Sequence, residues 1–451
     1  MYLTKNRFHQ LIFYILISFL IIFNGGNLDI YPQFNFILVC CFFVFCIKDK
    51  NYKAHIKKFF LNNKKLLSVY FLFLLYLIFQ ILPLPLEVLK IFSPIKYKIL
   101  VELEYSYFFS SISFDPINSF FNFLNYFSLL IYLIIFKTIF YKEIHLLRFY
   151  LYLIFAGFIA AVVAVYFFLI GNPDFLFISN SSYLSSATGF FINRTVFACF
   201  LNLSFLCGIE YLFLIDHYSK NKSSYFYRKI YIRLFLLFIT IGIITSFSKI
   251  GNFLFFVLIL IYLFKLFLKK NENKYLFYTI LFIVLFDIFI LGFFFGGTKL
   301  LARFSFLKEE LVAYSESSST HNFLKRADIV KFSIYQFTQF KFFGFGIGAF
   351  EIIFKVFNNN NSTYFANHAH SDVIEFLGEL GMIGSSILFY LSLKVLKKIN
   401  LSETKNIFLS IYLIILFIFD FSFHIFLIQL IFTLLISFHK KKSKLIYEGS
   451  L

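Results

Sequence analysis

Tryptophan is missing from the 451 residues, methionine occurs only twice, and charged residues make up just 14% of the chain. The shortage of charge is the informative absence, because a soluble domain carries about 25% charged residues. With 60% hydrophobic residues and a mean hydropathy of +0.82, the chain has too little polar surface to cover a water-facing core. Apolar runs long enough to cross a bilayer, about 20 residues each, recur from end to end. A cytosolic enzyme, a disordered protein and a nucleic-acid binder are excluded, despite a formal net charge of +19. The surplus of basic residues is first a signal of topology.

Absent tryptophan, 76 phenylalanines and 35 lysines against 7 arginines together read as an AT-rich coding bias. The phenylalanine excess is therefore no stacking signature. Each retained arginine instead hints at fork-shaped recognition of an anion, which lysine cannot supply. Cysteine is also scarce. Cys40, Cys41, Cys46, Cys199 and Cys207 all lie in apolar runs, which argues against a disulfide framework and against a cysteine metal site. Residues 1–23 start with Lys5 and Arg7 and run into apolar sequence with no small-residue cleavage pattern, so they read as a first span rather than a signal peptide.

Apolar runs bounded by charge or by Gly and Pro predict twelve spans, near 8–24, 31–47, 66–82, 118–136, 146–170, 190–214, 230–247, 250–268, 275–296, 372–393, 405–421 and 422–438. Lipid leaves no water to satisfy an exposed backbone, so the spans should be helices. The expected fold is all-α: a polytopic membrane protein of about twelve transmembrane helices, forming a single integral membrane domain over 1–451. Of the 42 basic residues, 29 fall in alternate connections that include both termini. The positive-inside rule makes that set cytoplasmic, and an even number of spans agrees. A long loop over 297–371, between helices 9 and 10, is then on the outer side. It remains basic, with eight lysines and arginines against five acids, and an anionic ligand is a reason for it to do so.

The densest set of chemically capable residues surrounds the end of that loop. Gly344, Gly346 and Gly348 alternate, which suits a tight turn presenting backbone N–H groups to an anion. His368 and His370 precede the tenth span, and His370, at its water interface, is placed to accept a proton from an attacking hydroxyl. Asp372, Glu375 and Glu379 share one helix face at i, i+3 and i+7. Asp372 suits a helix start, whereas Glu379 falls about two turns inside, where an ionisable group is costly and faces a protein cavity. Gly378 and Gly381 would admit a second helix closely there. Arg194 and Lys249 sit at outer span ends and, with Arg303 and Arg326, offer up to four cations to a diphosphate.

These pieces resemble the O-antigen ligase and O-antigen polymerase family of bacterial envelope glycosyltransferases. The matching segments run in order over residues 80–435: Leu82-Pro83-Leu84-Pro85 and Phe92-Ser93-Pro94; Gly189 to Arg194; Ser248-Lys249-Ile250-Gly251; Arg326; Phe343 to Gly346; His368 to Asp372 with Glu379 to Gly384; and Asp420 to His424. The resemblance implies transfer of a glycan from an undecaprenyl diphosphate carrier to an acceptor hydroxyl, on the periplasmic face of the inner membrane. It implies no cofactor, no obligatory metal and no nucleotide sugar. The acceptor would be lipid A core, a growing polysaccharide or a protein hydroxyl, and the partners are lipids and glycans rather than nucleic acid. By the same resemblance His370 is the catalytic base and Arg194 and Arg326 bind the diphosphate, with Arg303 and Lys249 beside them. His368, Asp372, Glu375, Glu379, Gly344, Gly346, Asp420 and His424 have supporting places. Two positions depart from the family pattern: Lys249 stands where arginine is usual, and Ser371 where asparagine follows the histidine. A lipid-linked glycan flippase or other transporter is the competing reading. Transporters concentrate ionisable groups near mid-bilayer, whereas here only Asp287 falls there and the polar groups gather at one face.

Overall fold

A computed structural model describes residues 2–27, 31–104, 108–174, 183–218, 224–268, 278–279, 281–282, 285, 326–358, 366–397 and 399–438. Helices dominate. The N-terminal part contributes α1 (Tyr2–Ile22), α2 (Tyr31–Lys48), α3 (Lys50–Asn62) and α4 (Lys64–Ile81). After α5 (Leu86–Phe92) and α6 (Pro94–Glu102) come α7 (Pro116–Ile139), α8 (Glu143–Leu169), α9 (Arg194–Tyr218), α10 (Ser224–Thr245) and α11 (Lys249–Leu268). The C-terminal part adds α12 (Arg326–Gln339), α13 (Phe350–Phe357), α14 (Asp372–Leu396), α15 (Thr404–Phe419) and α16 (Phe426–Ser437).

Seven helices among the described residues are long and apolar enough to cross a membrane: α2, α4, α7, α8, α9, α11 and α14. Shorter apolar stretches belong to α1, α15 and α16. α10 carries Arg228, Lys229 and Arg233 in its first half, yet packs against α8 and α9. Apart from residues 278–279, 281–282 and 285, the expected span at 275–296 lies outside the described residues, as does the expected loop up to residue 325, Arg303 included. The described part of the expected 297–371 loop is not loop alone. It holds α12 and α13, whose Ile329, Phe350, Ile353 and Phe354 form a small apolar core with Phe340, Phe345, Ala366 and Ala369.

Close helix packing uses small residues, as it does where lipid gives no hydrophobic drive between helices. A Cβ on Gly157 would meet Ser204 at 2.6 Å, on Gly242 Ala161 at 2.9 Å, and on Gly251 Ala198 at 2.3 Å, which locks α8, α9, α10 and α11 together. Polar contacts sort the helix ends into two groups. At one end Asn6 meets His145 (3.2 Å) and the Lys405 ammonium donates to the Leu435 carbonyl (3.0 Å). At the other end the Ile192 amide donates to Asn24 (2.9 Å), the Ala187 amide to the Thr245 carbonyl (2.9 Å), and Ser248 to Thr195 (3.1 Å).

That second end also holds an excursion between α4 and α7. Leu84–Pro85 pairs antiparallel with Phe109–Ser110, and α5 and α6 project beyond the pair. Lys96 of α6 turns back under it and donates to the carbonyls of Ser111 (2.8 Å) and Ser113 (2.5 Å). Burial pushes its ammonium down to about 8.

Candidate active site

α14 does not run as the uninterrupted helix expected over 372–393. It breaks at Gly381 (φ 61°, ψ −174°), where helical backbone cannot continue. Into the break fits the Lys341–Gly348 turn: the Met382 amide donates to the Lys341 carbonyl (2.7 Å) and the Ile383 amide to that of Phe342 (3.2 Å). On the N-terminal side of the break the Phe345 and Gly346 amides donate to the carbonyls of Gly378 and Glu379, both at 3.1 Å. Two expectations are corrected here. Gly378 and Gly381 admit this turn rather than a second helix. Gly344 and Gly346 do not present their amides to an anion, because those amides bond to the Phe340 and Glu379 carbonyls. Their function is close approach: a Cβ on Gly344 would lie 2.2 Å from the Glu379 oxygen, and one on Gly346 2.2 Å from Ser113 Oγ.

Two α4 side chains stitch the junction. Tyr76 donates to the carbonyls of Phe343 (2.8 Å) and Leu380 (2.6 Å). Gln80 donates to Phe343 and Glu379, both at 2.8 Å, while its own carbonyl accepts from the Ile347 amide at 3.3 Å. Neither residue is prominent in the sequence. A fully buried glutamine inside an apolar run was the available signal, since such a group must find partners.

The same half-helix aims Asp372, Glu375 and Glu379 inward, all three essentially inaccessible to solvent. The partner they share, His424, lies 45 to 52 residues downstream. The expected spans 405–421 and 422–438 leave no gap, yet the chain makes a turn over Asp420–Ile425, with Ser422–His424 in one 3-10 turn. Asp420 holds it by accepting from Ser422, through both amide (3.2 Å) and hydroxyl. The turn feeds His424 and the Phe423 amide to the Asp372 carboxyl, the latter at 3.1 Å. Asp372 therefore joins two helices instead of capping its own.

His424 is the hub of the cluster. Its Nδ1 meets Asp372, and its Nε2 lies 3.6 Å from Glu375 Oε1 and 3.7 Å from Glu379 Oε2. Its ring stacks on Phe376, centroids 4.1 Å apart. Burial alone would depress its imidazole, but the Glu375 and Asp372 carboxylates, with the hydrogen bond to Asp372, overcome this and hold it well above its ordinary value.

The two histidines of the His368-Ala369-His370 triplet face different ways, as neighbours two apart do around a bend. His368 turns toward the cluster, with its Nδ1 2.7 Å from Glu375 Oε1, while Glu375 Oε2 accepts from the Ala369 amide (2.7 Å). His370 is held with φ at +57°, in the left-handed region that costs a non-glycine residue about 1–3 kcal/mol. Phe421 separates the rings, stacked on His368 at 4.3 Å and edge-on to His370 at 5.6 Å. Both histidine rings thus meet Phe421, with His370 partly exposed and the three α14 carboxylates buried.

Of the expected cations, Arg194 and Lys249 are the first residues of α9 and α11. Their neighbours Thr195 and Ser248 are hydrogen bonded, so the two cations stand at adjoining helix N-termini. The Arg194 guanidinium lies over the Tyr183 ring (5.3 Å). Farther along α9, the Cys199 carbonyl accepts from Tyr412, and the Ser422–His424 turn packs against this helix. Arg326 opens α12, with its side chain outside the described ones, as is all of Arg303.

No curated protein matches the chain. Residues 234–389, from within α10 into α14 and including the Gly turn, both histidines and all three α14 carboxylates, match the family model described as O-antigen ligase.

Proposed function

We propose that the protein transfers an undecaprenyl-diphosphate-linked glycan to an acceptor hydroxyl at the periplasmic face of the bacterial inner membrane. The observation that carries the reading is the family match ending on the helix that the two histidines precede, at the same end of the bundle as Arg194 and Lys249. In the proposed step His370 accepts the acceptor hydroxyl proton while that oxygen attacks the anomeric carbon. The bond from that carbon to the diphosphate oxygen breaks, and undecaprenyl diphosphate leaves and takes up the proton. Arg194 and Lys249, joined by Arg326 and Arg303, neutralise the leaving diphosphate. Adjoining helix N-termini add their dipoles to the same end. Such a leaving group asks of the protein chiefly positioning, charge stabilisation and one base.

A specific contact favours a second assignment of the base. His368 is paired through Nδ1 with the buried Glu375 carboxyl, which fixes the ring as an orienting carboxylate does for a general base. His368→Ala and His370→Ala separate the two: the base variant abolishes transfer with the protein still inserted, and the other leaves measurable activity. Normal surface polymer in a deletion strain carrying either variant removes that residue from the role. Glycan analysis of the deletion strain identifies the acceptor. Bare lipid A core indicates a ligase, core capped with a single repeat indicates a polymerase, and unchanged surface polysaccharide refutes the reading.

A further inference from the structure

We infer that Glu375, Glu379 and His424 form a binding site for one divalent transition-metal ion, Mn²⁺ or Zn²⁺, that fastens α14 to the Asp420–Ile425 turn. The three offer ligand atoms that all lie within 4.8 Å of one another. Taking His424 Nε2 at 3.6 and 3.7 Å from the two carboxylate oxygens, a third side of at most 4.8 Å puts a common centre roughly 2.0–2.4 Å from each, the span of metal–ligand bonds to imidazole and carboxylate.

Two independent features point to a ligand there. Both Glu379 carboxylate oxygens and His424 Nε2 are buried without a hydrogen-bond partner, although Glu379 is 0% exposed. A buried carboxylate that accepts no hydrogen bond costs several kcal/mol, and the 3.7 Å approach of His424 Nε2 is too long to supply one. The remaining atoms are arranged as metal ligands usually are. Asp372 takes the Nδ1 side of His424, leaving Nε2 aimed at the gap, which is the carboxylate–histidine–metal order. Glu375 is likewise fixed by His368 and the Ala369 amide.

Charge favours the same conclusion. Among the described residues the ion pairs of Asp372, Glu375 and Glu379 are with His368 and His424 alone. Three buried carboxylates facing one or two imidazoles leave an excess of negative charge that a dication neutralises. The mixed nitrogen and oxygen donors suit Mn²⁺ or Zn²⁺ better than Mg²⁺, which keeps several waters that this sealed interior has little room for. The acids that meet are those that share one face of α14. The site stands whether or not the chain transfers glycan.

The test is elemental analysis of the full chain in detergent, stripped with a chelator and dialysed against MnCl₂ or ZnCl₂, with melting followed by calorimetry. The expected result is one ion per chain in the wild type and a melting temperature that rises with free ion. Glu379→Gln loses the ion. Asp372→Asn binds it about 10–100-fold more weakly, as loss of an orienting partner does. Less than a tenth of an ion per loaded wild-type chain overturns the inference, and so does full retention in Glu379→Gln, which would place the ion elsewhere. A wild type that melts with Glu379→Gln at every ion concentration also overturns it, with Glu379 then carrying a proton.

Discussion

Gly344→Ala distinguishes a glycine needed for packing from one needed to bind an anion. The added Cβ would lie 2.2 Å from the Glu379 oxygen, 2.5 Å from its carbonyl carbon and 2.6 Å from the Gly381 nitrogen, all backbone atoms that no rotamer change can move. Gly344 also has φ +71°, where an L-residue costs about 1–2 kcal/mol. Forcing the backbones apart adds about 1–3 kcal/mol. The control is Gly171→Ala: φ is +89° there but nothing lies within 4 Å, so the conformational cost stands alone. The expected gap in stability between the two variants is thus about 1–3 kcal/mol. With no tryptophan in the chain, melting in detergent is best followed with a thiol-reactive dye, because Cys46, Cys199 and Cys207 are buried and become reactive on unfolding. Transfer activity should fall together with stability, since displacing the Glu379 backbone moves its carboxyl group. If Gly344→Ala melts with Gly171→Ala while donor binding is lost, the turn is an anion site and the packing argument is wrong.

Gln80→Ala removes three hydrogen bonds and leaves the Glu379 carbonyl with only the Gly346 amide. It should destabilise the same junction by about 1–3 kcal/mol in the same dye assay; no change would mean the turn holds without α4. Arg194→Lys keeps a charge at the α9 N-terminus but not the fork, so transfer in proteoliposomes should fall about tenfold or more, given about 1.5–3 kcal/mol for a charged hydrogen bond. Undiminished transfer would reduce Arg194 to a point charge. Lys96 predicts a pH dependence. Its folded value of about 8 is below the ordinary 10.5, so between those values the unfolded chain binds more protons and stability rises with pH. Lys96→Met should flatten that part of the profile, and an unchanged slope would refute the assignment.

Much of the helical plan was legible because lipid imposes it. Runs of apolar residues fixed in length by bilayer thickness return as α2, α4, α7, α8, α9, α11 and α14, and no water is needed to complete a helix. What composition could not show is where a helix is interrupted. Gly381 sits in an apolar helical pattern like any other glycine, and only the arrival of the Lys341–Gly348 turn makes its positive φ necessary. The glycine alternation at 344, 346 and 348 marked a tight place correctly, but an amide run that faces an anion and one that faces carbonyls have the same sequence.

The carboxylate face of α14 was legible for a different reason. Glu379 is two turns inside an apolar helix, and the cost of a lone buried charge makes a partner obligatory, whichever residue provides it. The partner's identity was hidden because 45 residues separate Glu379 from His424, and because the run around His424 reads as one more span. Asp420 resolves the matter locally: bonding both the Ser422 amide and hydroxyl, it follows directly on the end of α15 at Phe419 and bends the chain. That bend turns an ordinary interfacial histidine into the group on which three buried acids converge.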